Sequence, residues 1–178
     1  MYADVIIAGF GGQGVVLAGT LLAYAAMEHG LNVTFMPVYG PEMRGGTANC
    51  TVVLSDDDIG SPIIQRPVGV IALNRPSLEK FQPRVHDGGL VVINSSLCDA
   101  SLADSPRLKA VAVPCNEIAE KVGNTRMVNM GALGAYAKAS GAIPLSRLQD
   151  ALGHVIPAHY THLIPKNAEA LQAGFDAA

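Results

Sequence analysis

The 178-residue sequence predicts an α/β fold, a Rossmann-like three-layer sandwich with a mostly parallel sheet and a run of C-terminal helices. Short, unbroken apolar runs recur and end in Gly, Pro or Asn, as strands buried on both faces do. A G-x-G-x-x-G turn stands between the first such run and an apolar helical stretch. The composition is 49% hydrophobic but only 5% aromatic, with no Trp, so Ala, Val, Leu, Ile and Gly must build the core. Small side chains of that kind suit helices packed closely on a parallel sheet. The length suits a single domain over residues 1–178.

The elements follow in order. Asp4–Ala8 is a buried strand. Val15 to about His29 is a helix, apolar almost all round, with Gly30 placed as a C-cap glycine. Asn32–Met36 is a second strand, stopped by Pro37, and the three pieces have the size of one βαβ unit. After the glycine-rich loop Val38–Gly46 come strands at Thr47–Leu54, Val68–Leu73, Gly89–Asn94 and Leu108–Val113. Cys115–Val122 is a short helix. Longer helices follow at Asn129–Gly141, Leu145–Val155 and about His159–Ala173, with Pro144, Pro157 and Pro165 as interruptions. The alternation places helices on both faces of the sheet.

Composition narrows the function. Net charge is −3 and the 12 Lys and Arg are scattered, so no basic patch would attract nucleic acid or anionic lipid. Val5–Met27 has 23 residues without a charge, the length of a membrane span. Its five glycines, four of them between Gly9 and Gly14, break any continuous helix, and strand, loop and buried helix is the reading adopted. Cys50, Cys98 and Cys115 lie too far apart for a CxxC pair and are too few for a four-thiolate cluster. They read as buried apolar thiols in a reduced, cytoplasmic protein. Only 15% of residues are charged, which leaves apolar surface for a partner.

Three segments carry candidate chemistry. In Gly9-Phe-Gly-Gly-Gln-Gly14 (Gly9, Gly11, Gly12, Gln13 and Gly14), glycine lets the backbone approach a ligand and the helix start offers free N–H donors. The carboxylate that would hold a ribose diol is missing, because the second strand leads into Pro37-Val38-Tyr39. Tyr39-Gly-Pro-Glu-Met-Arg-Gly-Gly46 holds Glu42, Arg44 and Gly45 in a stiff loop expected at the same carboxyl edge. The Arg44 guanidinium suits a phosphate, a carboxylate or a partner chain, and an internal Glu42–Arg44 pair is the plainer account. In Gly123–Gly134, Asn124 and Thr125 can cap a helix whose Gly131 and Gly134 give it a smooth face, while Arg126 and Asn129 at its start reach towards a site. His154, His159 and His162 do not share a helix face, and Asp56–Asp58 reads as a solvated turn. No G-x-S-x-G, HExxH or Walker A segment occurs, and no catalytic or metal-ligating residue is assigned.

Taken together, these segments resemble the gamma subunits of pyruvate-, 2-oxoisovalerate- and 2-oxoglutarate:ferredoxin oxidoreductases. Gly9–Gly19 looks like the family's opening and Tyr39–Gly46 like its most recognisable loop. Ile71–Asn74, Gly88–Asn94 and Gly123–Gly134 follow in family order, so the resemblance covers nearly the whole chain. It departs at Pro67-Val68, where the family often has an Asp after the proline. The resemblance implies a non-redox chain of an enzyme that converts a 2-oxoacid, coenzyme A and oxidised ferredoxin into acyl-CoA, carbon dioxide and reduced ferredoxin. Thiamine diphosphate, Mg2+ and [4Fe-4S] clusters are then expected on alpha, beta and delta-type partner subunits, with ferredoxin and coenzyme A met through the complex. This chain would complete the assembly, touch coenzyme A at the residues above, and form a homodimer when alone.

Three alternatives stay open at this level. One is the small subunit of indolepyruvate:ferredoxin oxidoreductase. Another is a stand-alone nucleotide-binding or regulatory module built on the glycine turn. The third is an assembly chain with no ligand.

Overall fold

A computed structural model describes residues 1–39, 47–104 and 106–178. Strand β1 spans Tyr2–Phe10 and runs into helix α1, Val15–Glu28. Strands β2 (Asn32–Tyr39) and β3 (Thr47–Ser55) follow, then β4 (Gly69–Ala72) and helix α2 (Arg75–Phe81). The remaining strands are β5, Leu90–Asn94, and β6, Lys109–Val113. The chain ends in α3 (Cys115–Val122), α4 (Val128–Ser140), α5 (Leu145–Val155) and α6 (Ile164–Ala177).

The sheet order is β2-β3-β1-β4-β5-β6. β1, β4, β5 and β6 pair in parallel, while β3 lies antiparallel between β1 and β2. The sheet is therefore mostly parallel, but β1-α1-β2 is not a βαβ unit of neighbouring strands. The reason is in the connection. A parallel neighbour needs a crossover of a dozen or more residues, and only residues 40–46 separate β2 from β3, so the chain turns straight back. The register Tyr39↔Ala48 and Ala48↔Gly9 brings both strand ends beside the end of β1.

Pro37 does not stop β2, which continues to Tyr39 with Pro37 opposite Cys50. An edge strand bonds to one neighbour only, so it tolerates a residue without an N–H. The last helix also differs from expectation. Ala158–Leu163 winds as 3-10 turns and α6 begins at Ile164, because Pro165 fits a first helical turn but not an interior. Helix α2 was not expected, although its signal was there. Asn74 Oδ1 accepts from Ser77 N at 2.9 Å and Pro76 occupies the first turn.

Helices cover both faces, but unequally. Val5, Ile7, Leu54, Ile71 and Val92 face a core shared with α1, α3, α4, α5 and α6. Ile6, Ala8, Val70 and Ile93 face a smaller core closed by Leu78 and Phe81 of α2, with Val85, Cys98 and Leu108. Glycine sets the helix spacing on the thick side. A Cβ at Gly174 would lie 2.6 Å from the Gly131 carbonyl carbon, and one at Gly134 would lie 2.9 Å from that of Leu171. α4 and α6 thus touch backbone to backbone. At the Pro67-Val68 departure, the backbone N–H of Val68 donates to Asp4 Oδ1 at 2.7 Å.

Val5–Met27 resolves into the end of β1, the glycine turn and α1. Among the described residues no helix is long and apolar enough to cross a membrane.

Candidate functional site at the carboxyl edge

The chain leaves β1 towards β3 and β2 by way of α1 on the thick face, and leaves β4 towards β5 by way of α2 on the other. The β1/β4 boundary is therefore a topological switch point, where open α/β sheets form a crevice at their carboxyl ends. The Gly9–Gly14 turn lies at that boundary.

Gln13 closes the crevice floor. Its Oε1 accepts from Phe10 N at 2.6 Å and from Asn74 Nδ2 at 3.0 Å, and its Nε2 reaches Leu73 O at 3.4 Å. One side chain thus ties the turn after β1 to the turn after β4. The same carbonyl of Leu73 accepts from Asn94 Nδ2 at 3.1 Å, and that nitrogen also reaches Asn116 Oδ1 at 2.9 Å. Asn94 is fully buried, and its Oδ1 accepts from Cys115 N at 3.2 Å. A row of amides therefore fixes the carboxyl edge from β1 to the start of α3.

The glycines have separate tasks. Gly12 (φ 96°) and Gly14 (φ 73°) sit in the left-handed region, which only glycine enters freely. A Cβ at Gly9 would meet Gln13 Oε1 at 2.7 Å, and one at Gly14 would lie 2.7 Å from Asn129 Cγ. Gly11 completes the turn between them. Gly14 is also the residue before α1, and among the described residues no side chain caps that helix.

Asn129, in the first turn of α4, lies against the glycine turn. Its Nδ2 donates to Gly14 O at 3.0 Å. The residue is 2% exposed and, among the described residues, its Oδ1 has no hydrogen-bond partner. An unpaired buried acceptor costs about 1–3 kcal/mol, which a fold keeps only where something offsets it. Asn129 lies on the wall of a pocket of about 200 Å3 between the first turn of α1, the Asn124–Met127 turn and the 3-10 segment before α6. Asn124 caps that 3-10 turn, its Oδ1 accepting from Arg126 N at 3.1 Å. Arg126 and Tyr160 stand at the pocket as exposed residues. Sequence reasoning missed Tyr160 and the bridging role of Asn74. Only the second had a readable signal, the Asn-x-Pro start of α2.

Glu42, Arg44 and Gly45 lie outside the described residues. The ends of β2 and β3 that flank them do reach the edge where Gly9–Gly14 sits.

The strand order bears on dinucleotide binding. In that mode a carboxylate at the end of the strand beside β1 holds the ribose. Here the strand on that side is the antiparallel β3, and β2, one place further out, ends without an acid. The ribose position is absent from both sequence and topology.

The three thiols do not converge. Cys50 and Cys115 belong to the core on one side of the sheet and Cys98 to the other. Burial pushes Cys50 and Cys115 up to about 12 and raises Cys98 as well. Among the described residues no three His, Cys, Asp or Glu side chains are grouped to hold a metal ion. His154 stacks on Tyr24 instead, and His159 packs against Tyr160.

A family model described as pyruvate ferredoxin/flavodoxin oxidoreductase matches residues 4–177. The ketoisovalerate oxidoreductase subunit VorA of Methanothermobacter marburgensis is 38% identical over 171 residues, 96% of this chain and 35% of that protein. The 2-oxoglutarate synthase subunit KorC of the same organism is 32% identical over 180 residues, 98% of this chain and 95% of that one. The chain thus spans about a third of the VorA relative and nearly all of KorC. Two solved structures share the fold at 24% identity. One is the keto/oxoacid ferredoxin oxidoreductase gamma subunit of Geobacter sulfurreducens, with TM-score 0.85 over 99% of this chain and 96% of that one. The other is the 2-oxoglutarate:ferredoxin oxidoreductase of Magnetococcus marinus with 2-oxoglutarate, coenzyme A and succinyl-CoA bound, with TM-score 0.88 over 99% of this chain but 31% of that one.

Proposed function

The chain belongs to the gamma-subunit family of 2-oxoacid:ferredoxin oxidoreductases, and from that premise we propose that it is the non-redox gamma-type component of such an enzyme. The observation that carries the reading is the family match over residues 4–177, which leaves almost none of the chain for another task. The assembled enzyme joins the acyl group of a 2-oxoacid to coenzyme A and releases carbon dioxide. The electrons freed leave one at a time through clusters to ferredoxin. Thiamine diphosphate, Mg2+ and [4Fe-4S] clusters sit on alpha, beta and delta-type partners. The separation of Cys98 from Cys50 and Cys115 across the sheet supports placing the clusters elsewhere. Relatives named for ketoisovalerate are 38% and 45% identical and those named for 2-oxoglutarate 27–34%, so a branched 2-oxoacid is the first substrate to assay.

In this reading residues 1–178 act as one unit in the cytoplasm. The carboxyl edge, with Gly9–Gly14, Asn129 and the segment holding Glu42, Arg44 and Gly45, meets coenzyme A or the partner chain. Without its partners the chain pairs with a second copy.

The test is to assemble the chain with its thiamine- and cluster-bearing partners, with and without Arg44→Ala, and to measure complex size and the KM for coenzyme A. One charge-assisted hydrogen bond is worth about 1.5–3 kcal/mol, so a ligand contact should raise KM roughly ten- to a hundredfold. Lost assembly at unchanged KM assigns Arg44 to the interface. If neither moves, the loop has no such role, and if no complex forms with either chain, the gamma assignment fails.

A further inference from the structure

A second pocket opens at the amino end of β1, away from the glycine turn, and holds about 380 Å3, room for a small molecule. Asp4 lines it. This residue is 3% exposed, yet it forms no ion pair among the described residues. Val68 N–H holds Oδ1 at 2.7 Å, and Oδ2 is not sealed from solvent. Tyr2 stands beside the carboxylate. Burial first, and then Asp4, push its phenol up to about 12, so Tyr2 stays neutral. A buried carboxylate among neutral neighbours is costly until a cation joins it.

The rest of the pocket supplies different chemistry. Arg66 lines it, and among the described residues its guanidinium makes no ion pair or hydrogen bond. Ile63, Ile64 and Val68 add apolar surface, and Ile63 is 65% exposed. The wall that carries Ile64 and Gln65 is loop, but Arg84 holds it. Its Nη2 donates to Ile64 O at 3.0 Å and its Nε to Gln65 O at 3.2 Å. A wall fixed by the protein's own bonds needs little ordering on binding. A buried carboxylate, a free guanidinium and branched apolar side chains in one small pocket select a zwitterion with an aliphatic body. We propose that this pocket binds a free aliphatic α-amino acid, its ammonium at Asp4, its carboxylate at Arg66 and its side chain against Ile63, Ile64 and Val68. A 2-oxoacid fits less well, because it brings no cation to Asp4. The proposal goes beyond the gamma reading and does not rest on it, since it concerns the amino edge of the sheet and not the carboxyl edge.

The experiment is calorimetric titration of the intact chain with L-valine and L-leucine, and with the 2-oxoacid and the amine of the same carbon skeletons. Each comparison compound lacks one charged end. We expect saturable binding of at least one amino acid, with its 2-oxoacid and its amine each at least tenfold weaker. Arg66→Ala, a change at an exposed residue, should weaken the amino acid about tenfold and leave the amine unaltered. Asp4→Asn keeps an acceptor for Val68 N–H and removes the charge, so it should abolish the preference for the amino acid over its 2-oxoacid. No saturable binding of either amino acid at millimolar concentration overturns the proposal, as does equal affinity for an amino acid and its 2-oxoacid. Unchanged affinity in Arg66→Ala also overturns it, and that variant decides the matter if Asp4→Asn does not fold. Assembly with the thiamine- and cluster-bearing partners is a separate measurement, so failure here leaves the gamma assignment standing.

Discussion

Replacing Gly174 by Ala tests whether backbone contact between α4 and α6 organises the thick side of the molecule. In an exposed helix the change stabilises by about 1 kcal/mol. Here the new Cβ would lie 2.6 and 2.7 Å from the carbonyl carbon and Cα of Gly131. Both neighbours are backbone atoms, so no rotamer relieves the overlap, and the helices must part by roughly 1 Å, forfeiting a quarter to a half of each facing contact. α4 has no room to retreat, since Val128 to Ala137 are all buried. Overpacking of this kind costs about 1–3 kcal/mol, and two backbones in contact put the effect at the upper end. The net expectation is a loss of about 2 kcal/mol, or a fall in Tm of roughly 4–8 °C for a domain this size. Gly153→Ala is the matched control. It lies within α5, is exposed, and has nothing within 4 Å of a new Cβ, so it should gain about 0.5–1 kcal/mol. Urea unfolding followed by circular dichroism reads both. A Gly174→Ala midpoint at or above wild type refutes the close-contact account.

Other outcomes follow from the same geometry. Cys50, Cys98 and Cys115 are buried thiols with raised values, so a thiol reagent at pH 8 should label none of them quickly in the native protein and all three in denaturant. Cys50 and Cys115 hold their protons up to about 12 when folded but only to 9.0 when unfolded. Their contribution is therefore complete below about pH 9 and is lost as pH climbs towards 12, at roughly 1 kcal/mol per pH unit for each thiol. Urea midpoints at pH 8 and pH 10 measure that fall, and a flat profile would contradict it. Gln13→Ala removes the acceptor shared by Phe10 N and Asn74 Nδ2 and should cost about 2 kcal/mol. Gln13→Glu keeps that acceptor but sets a carboxylate oxygen against Leu73 O, where Nε2 donates in the wild type, so it should recover only part of the loss, which urea unfolding of both variants will show.

Much of this was legible in the residues, because strands buried on both faces announce themselves. Leu90–Asn94 and Gly69–Ala72 are short apolar runs ended by Asn or followed by an Asn cap, and both were placed within a residue or two. Cys115–Val122 and Leu145–Val155 were placed to the residue, because Pro114, Gly123 and Pro144 mark their limits. The order of the strands was less accessible. Apolar periodicity places a strand in a sheet without naming its neighbours, and the informative clue was the length of the 40–46 connection. At the site, Gly9–Gly14 was readable as a turn, whereas the contact of Asn129 with Gly14 was not, because 115 positions separate the two residues. The pocket was not readable, because Leu17, Asn129 and Tyr160 meet only through tertiary packing across 143 positions.

The hairpin and the glycine turn explain one another. β3 occupies the place beside β1 that a ribose-binding strand would take, so the fingerprint glycines lose their usual partner strand. What they keep is close approach, and here the approaching groups belong to the protein. Gly9 makes room for the Gln13 amide, and Gly14 makes room for Asn129. Gln13 then bonds across the switch point to Asn74, and the row of amides continues through Leu73 O to Asn94 and Cys115 N. An edge fixed in this way is rigid before any ligand or partner arrives, so little ordering cost remains on binding. A turn that would hold a mobile cofactor in another sheet serves here to hold the carboxyl edge in shape.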